Sequence, residues 1–181
     1  MSNKYFEIIA YTDGSAVVKG KAKGNGGFGT YFPNLYGKPK AFSLGFKDTK
    51  TGRMEISALY YAITAIRHDY PGYLRVYSDS EYVVKTFTEN RLQKWIDAGW
   101  KNTSGDVKNK DLWEAVKREL DARPEMTLEM IHIRSHQVEK EKNPLKKEEL
   151  KQNDHIIGNM MADKLADYKR HKTLLSSDAV A

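Results

Sequence analysis

Four carboxylates, Asp13, Glu55, Asp79 and Asp163, occupy positions from which they could act together. Asp13 closes the apolar run YFEIIAYT and is followed at once by Gly-Ser, and Asp79 closes YLRVYSD in the same way. Glu55 stands in the first turn of a helical run, and Asp163 lies inside GNMMADKLADY. Each has an ordinary account when taken alone. An Asp before Gly is a common turn residue, and an acid in a helix's first turn is favoured by the helix dipole. Asp79 suits a helix N-terminus, and Asp163 suits a solvated surface. Taken together they do not, because four carboxylates in one crevice repel and raise one another's pKa unless a cation neutralises them. A hard divalent ion with oxygen ligands suits such a set, and Mg²⁺ suits one that also holds a substrate phosphate.

The elements that must position these acids follow from periodicity. Residues 5–12, 24–32 and 40–46 read as three strands between Gly and Pro punctuation. From 53 to 69 the period becomes helical, with Met54, Ala58, Tyr61, Ala62 and Ala65 on one face and Pro71-Gly72 as the stop. Residues 73–79 return to a strand, and short helices follow from Ser80 to Phe87 and over 91–97. Residues 111–122 are helical, with Leu112, Val116 and Leu120 on one face. Residues 127–134 form a fifth strand in which Leu128, Met130 and His132 alternate against Glu129, Ile131 and Ile133. Residues 139–154 read as an exposed polar insertion. A last helix over 156–172 carries Met161, Leu165 and Tyr168 as its buried stripe, and a frayed tail is expected from 174. This order predicts one α/β domain over residues 1–173, a mixed five-stranded sheet with helices on both faces. Strands one, four and five, joined by helical crossovers, should lie parallel. Parallel neighbours then deliver Asp13 and Asp79 to one crevice at their carboxyl ends.

Composition narrows the field. A chain of 181 residues with 40% hydrophobic and 30% charged content suits a globular domain with one sizeable core. The absence of cysteine excludes disulfides and thiolate metal sites. The apolar runs are too short for a membrane helix, and MSNKYFEIIAYTDG has no leader-like pattern. A cytoplasmic monomer without membrane partners is expected. Thirty Lys and Arg against 24 Asp and Glu give +6, compatible with a polyanionic partner.

The segments YTDGS, TGRMEISALYYAI, YSDSEYV, GWKN…VKNKDLW and GNMMADKLA resemble, in order, the signatures of type-1 ribonuclease H. Any one is weak, and five in sequence are strong. The resemblance spans nearly the whole chain apart from 139–154 and the tail. It implies a ribonuclease H-like sheet, with Asp13, Glu55, Asp79 and Asp163 as catalytic acids holding two Mg²⁺ ions, for which Mn²⁺ can substitute. It also implies endonucleolytic hydrolysis of the RNA strand of RNA·DNA hybrids, leaving 5′-phosphate and 3′-hydroxyl ends. The 2′-hydroxyl is then the feature that separates RNA from DNA.

Residues 91–110 resemble the basic protrusion by which relatives grip the hybrid. Lys94, Trp95, Trp100 and Lys101 are its expected contacts, with at least one tryptophan packed beneath the helix, and Asn109 matches a substrate-contacting asparagine. Gly14, Ser15 and Gly52 are expected to meet the substrate as well. Two departures are visible: Glu81 stands where relatives often carry Gln, and Thr51-Gly52 replaces a polar pair. Relatives also carry a catalytic histidine shortly after strand five, and His136 in IRSHQ matches it. His155 is the alternative because it lies nearer Asp163 in sequence, and His132, inside the strand, reads as a packed core residue. Two other function classes remain open on residues alone. One is a duplex-binding module without catalysis. The other is a DNA-preferring transposase-like, resolvase or exonuclease relative, which would lack VKNKDLW.

Overall fold

The structure is a computed structural model that describes residues 6–17, 23–172 and 174–175. The chain opens with β1 (Glu7–Ala16), β2 (Gly24–Leu35), β3 (Lys38–Thr49), α1 (Thr51–Thr64) and β4 (Tyr73–Ser78). Then come α2 (Glu81–Thr88), α3 (Arg91–Asp97), β5 (Lys101–Asn102), β6 (Gly105–Asp106), α4 (Lys110–Asp121) and β7 (Thr127–His132). It closes with α5 (Gln137–Lys140), α6 (Pro144–Lys151), α7 (Asp154–Arg170) and β8 (Leu174–Leu175). The main sheet has the order β7-β4-β1-β2-β3-β8, with β1, β4 and β7 parallel and β1, β2 and β3 antiparallel in succession. The five-stranded mixed sheet expected from the sequence is therefore present, and β8 adds a two-residue edge. Leu174 and Leu175, expected in a frayed tail, pair in parallel with Gly45 and Phe46. The rest of that tail lies outside the described residues, as do residues 1–5.

The strand period places alternate residues of β1 and β2 on opposite faces. Phe28 and Thr30 face α1, where Phe28 stacks near Tyr61 at 4.7 Å and Thr30 donates to the Ala58 carbonyl at 2.8 Å. Met54, Leu59, Ile63, Leu74, Val76, Leu112 and Trp113 complete this core. Gly27 and Gly29 face α7 instead, and both are needed for its approach. A Cβ on Gly29 would lie 2.2 Å from the Ala162 carbonyl oxygen, and one on Gly27 would lie 2.6 Å from that of Ala166.

That close approach corrects the expected stripe of α7. Met161 and Tyr168 are exposed and Leu165 is half-buried, while Ile156, Gly158, Asn159, Ala162 and Ala166 are buried. Backbone this near the sheet leaves no room for long side chains, so the small residues turn inward. The insertion is exposed as expected and carries α6, whose N-cap Asn143 accepts from the Leu145 and Lys146 amides. The β5–β6 hairpin was not anticipated. Its turn signal is Gly105, held at φ +109.

Candidate active site

Asp13 does not end its strand. β1 pairs with β4 only as far as Thr12↔Ser78, but it continues beside β2 to Ala16↔Gly26. The Gly14-Ser15 step therefore stays extended. Asp13 is the first residue of β1 beyond its parallel neighbour, at the point where the chain of β4 leaves the sheet through Asp79. Gly14 carries a steric requirement: a Cβ there would sit 2.2 Å from the Glu55 amide nitrogen. Its own amide donates to Asp13 Oδ1 at 2.8 Å. Glu55 sits two residues further into α1 than expected, beyond its first turn, because the helix begins at Thr51. It is buried, so a helix-dipole role for a first-turn acid does not describe it.

These elements bring carboxylate oxygens of Asp13, Glu55 and Asp79 within 4.8 Å of one another. Asp163, half-buried on α7, completes the group through its interaction with Asp13 and Asp79. Burial, followed by the charges of Asp79 and Asp163, pushes Asp13 up to about 8. Burial, followed by the charges of Asp13 and Asp79, raises Glu55 well above the usual carboxylate range. Asp79 is also raised, chiefly by burial, although His136 and His132 oppose the shift. Glu55 Oε2 is buried without any hydrogen-bond partner. A buried carboxylate oxygen normally has one, and its absence at Glu55 Oε2 among the described residues fits a cation, since hard oxygen ligands converge at this point.

The histidines separate clearly. His136 is the N-cap of α5, exposed and in the left-handed region at φ 53, and close enough to Asp79 to favour its charged form. His132 is not a core residue. It is exposed at the last position of β7, opposite Ser78, and lines a cavity of about 550 Å³ with Asp79, Glu81 and Arg134. The sheet ends there, so no layer covers it. His155 points away from the acids. Its Nδ1 lies 2.8 Å from the Tyr11 hydroxyl and its Nε2 3.4 Å from that of Tyr77, and its ring stacks on Tyr77 at 4.2 Å. Burial, then the charges of Tyr77, Asp154 and Tyr31, push Tyr11 up to about 12.

The expected substrate contacts do not gather in one place. Gly52, Trp95 and Asn109 line one cavity of about 780 Å³, with Asn109 held at φ 57 as the N-cap of α4. Trp95 also packs near Trp113 at 5.9 Å, so it is partly a core residue. Trp100 is half-buried too and faces a separate groove with Ile96 and Glu114, while Lys94 donates to the Glu89 carbonyl. Lys101 is exposed on the β5–β6 hairpin, and Ser15 receives a bond from Arg170. Glu81 lies beside Asp79 and pairs with Lys85, which together with His132 holds it below the usual range. Lys23, Lys50 and Tyr82, which the sequence reading did not single out, also line the Gly52–Asn109 cavity, as do Ser104 and Lys108 of the 91–110 segment. Lys50 immediately precedes TGRMEISALYYAI and Lys108 lies inside VKNKDLW, and the lysine excess was the available signal.

Among the described residues no helix is long and apolar enough to cross a membrane. The RNase H family model matches residues 6–170. A ribonuclease H of Lachnoclostridium phytofermentans is 36% identical over 135 residues, covering 72% of this chain and 81% of the relative. The solution structure of the PFV RNase H domain superposes with a TM-score of 0.66 at 25% identity, covering 92% of this chain and 96% of that one. A foamy viral protease-reverse transcriptase solved with an RNA/DNA hybrid gives a TM-score of 0.68 at 21% identity, with 92% of this chain matching 20% of that one.

Proposed function

Because the chain belongs to the RNase H family, we propose that Asp13, Glu55, Asp79 and Asp163 hold two Mg²⁺ ions where β1 runs past the carboxyl end of β4. The enzyme is a divalent-metal-using ribonuclease H that hydrolyses the RNA strand of RNA·DNA hybrids to 5′-phosphate and 3′-hydroxyl products. The observation that carries the assignment is the orphaned Glu55 Oε2 inside a triad of mutually close carboxylates. Bound there, such ions supply an activated water and stabilise charge on the leaving oxygen. The chain's own groups do the rest. Burial and mutual repulsion keep the acids proton-hungry until a cation enters, so the site is poised for a divalent ion. His136, exposed beside Asp79, gives a proton to the leaving 3′-oxygen, which departs as the product's 3′-hydroxyl, and the ring takes a new proton from solvent. The Gly52–Asn109 cavity with Lys50 and Lys108 accepts backbone phosphate, and Trp95 gives it an aromatic wall. Lys101 on the hairpin extends this grip. Mn²⁺ substitutes for Mg²⁺, since the donors are all oxygen.

The test is incubation of the purified chain with a labelled RNA·DNA hybrid, with and without Mg²⁺, beside DNA·DNA and RNA·RNA duplexes. Cleavage confined to the RNA of the hybrid and abolished by chelation is expected. Hybrid binding without cleavage would indicate a binding module, and cleavage of DNA·DNA a different nuclease.

A further inference from the structure

α7 meets the sheet through a face with almost no relief. Its buried residues are Ile156, Gly158, Asn159, Ala162 and Ala166; Gly158 lies against the Tyr11 ring, and the backbone at Ala162 and Ala166 lies against Gly29 and Gly27. Helix positions are normally set by side-chain ridges lodged in grooves. Around Asp163 the buried residues are Ala162 and Ala166, which provide little of either, so packing there fixes how near α7 lies and only weakly fixes where it sits along its axis.

Two polar contacts supply what packing lacks, and both attach to β1. At the start of α7, His155 bonds the Tyr11 hydroxyl at 2.8 Å and, through its other nitrogen, that of Tyr77 at 3.4 Å. The two contacts use both ring nitrogens, one for each hydroxyl. At the end of α7, Arg170 Nη1 donates to Ser15 Oγ at 2.7 Å, and its guanidinium is steadied by Asp167. Tyr11, Asp13 and Ser15 share one face of β1, so the two anchor points flank Asp13 by two residues on each side. On α7 the anchors flank Asp163, about 12 Å before it and about 10 Å after it at 1.5 Å per residue.

We propose that His155 and Arg170 are positioning residues, a two-point mount that holds α7 at the axial register where Asp163 faces Asp13. The proposal rests on the reading of those two acids as cation ligands. Ligands must be held within about 0.5 Å of their working geometry, and a slip by one residue would move Asp163 by about 1.5 Å. His155 serves the reaction through Asp163 and does not touch substrate.

The variants are His155→Phe, which keeps the ring stack but loses both hydrogen bonds, and Arg170→Met, which keeps the stem but loses the bond to Ser15. Tyr77→Phe, which removes only the longer bond, is the milder companion should His155→Phe fail to fold. Asp163→Asn is the reference. The readouts are Mg²⁺ affinity of the substrate-free protein by calorimetry, the Mg²⁺ needed for half-maximal hybrid cleavage, and Tm. Each variant should weaken Mg²⁺ binding by about tenfold or more, the scale seen when the groups that orient metal ligands are removed. The double variant should lose more than either single one, and saturating Mg²⁺ should return kcat towards wild type. Tyr77→Phe should move in the same direction by less. Lowered Tm with unchanged Mg²⁺ affinity in folded His155→Phe and Arg170→Met, while Asp163→Asn binds Mg²⁺ poorly, overturns the mount alone. Wild-type Mg²⁺ binding by Asp163→Asn overturns the ligand assignment and the mount with it.

Discussion

Replacing Asp13 by Asn should destroy hydrolysis and yet make the cation-free protein more stable. The reason is the direction in which the fold shifts this acid. Burial and the charges of Asp79 and Asp163 push Asp13 from its ordinary 3.8 up to about 8. Below 3.8 the group is protonated in both the folded and unfolded chain, and the fold keeps its full stability. As pH rises from there, the unfolded chain releases the proton while the folded one holds it, so stability falls until about pH 8 and then levels off. At about 1.4 kcal/mol per pH unit, the deficit reaches about 4 kcal/mol by pH 7. Asn carries no such proton and keeps an oxygen to accept the Gly14 amide. Allowing about 1 kcal/mol for imperfect hydrogen bonding of the new amide, the net gain is about 3 kcal/mol. For a domain of this size that raises Tm by about 6–12 °C. The assay is thermal unfolding of both proteins in chelator between pH 4 and pH 8. The gain should be near zero at pH 4 and grow with pH. Added Mg²⁺ should raise the Tm of the wild type and leave the variant almost unmoved, since only a ligand that binds the fold stabilises it. Equal Tm values at pH 7.5 in chelator would refute the account of a buried, mutually repelling acid cluster.

The remaining expectations are briefer. His136→Ala should lower kcat by about 10²–10⁴-fold with KM little changed, and steady-state kinetics on one hybrid at neutral pH decides it; a KM effect alone would make His136 a binding residue. Gly29→Ala should cost at least about 1–3 kcal/mol through overpacking, because its Cβ would fall 2.2 Å from the Ala162 carbonyl oxygen; chemical denaturation measures this, and a neutral result would mean that α7 can lift from the sheet. Replacing both Lys50 and Lys108 by Ala should weaken hybrid binding and flatten the slope of log affinity against log salt by about two. An unchanged slope would remove the Gly52–Asn109 cavity from the phosphate path.

Much of the molecule was legible before any coordinates. The three-strand opening, the parallel set joined by helices and the grouping of Asp13 with Asp79 follow from periodicity and from the geometry of parallel sheets, which are local properties of the chain. The five ordered segments named the family. The start of a short helix at Ser80 was readable as well, and the Ser80 side chain caps it by accepting from the Val83 amide. What the chain alone did not determine was which face of an element turns inward and how close its neighbour comes. Met161, Leu165 and Tyr168 have helical spacing, but α7 rests on glycines of β2, so its small residues face the sheet and its large ones face out. His132 has strand alternation, but the sheet ends at its position and leaves it exposed beside Asp79. Asp13 precedes Gly-Ser like a turn residue, but β2 runs past the end of β4 and keeps β1 extended to Ala16. His155 is near Asp163 in sequence and is instead held by Tyr11 and Tyr77, residues 144 and 78 positions away in the chain. Each of these outcomes depends on a partner distant in sequence, and a local pattern carries no information about the shape of the surface it will meet.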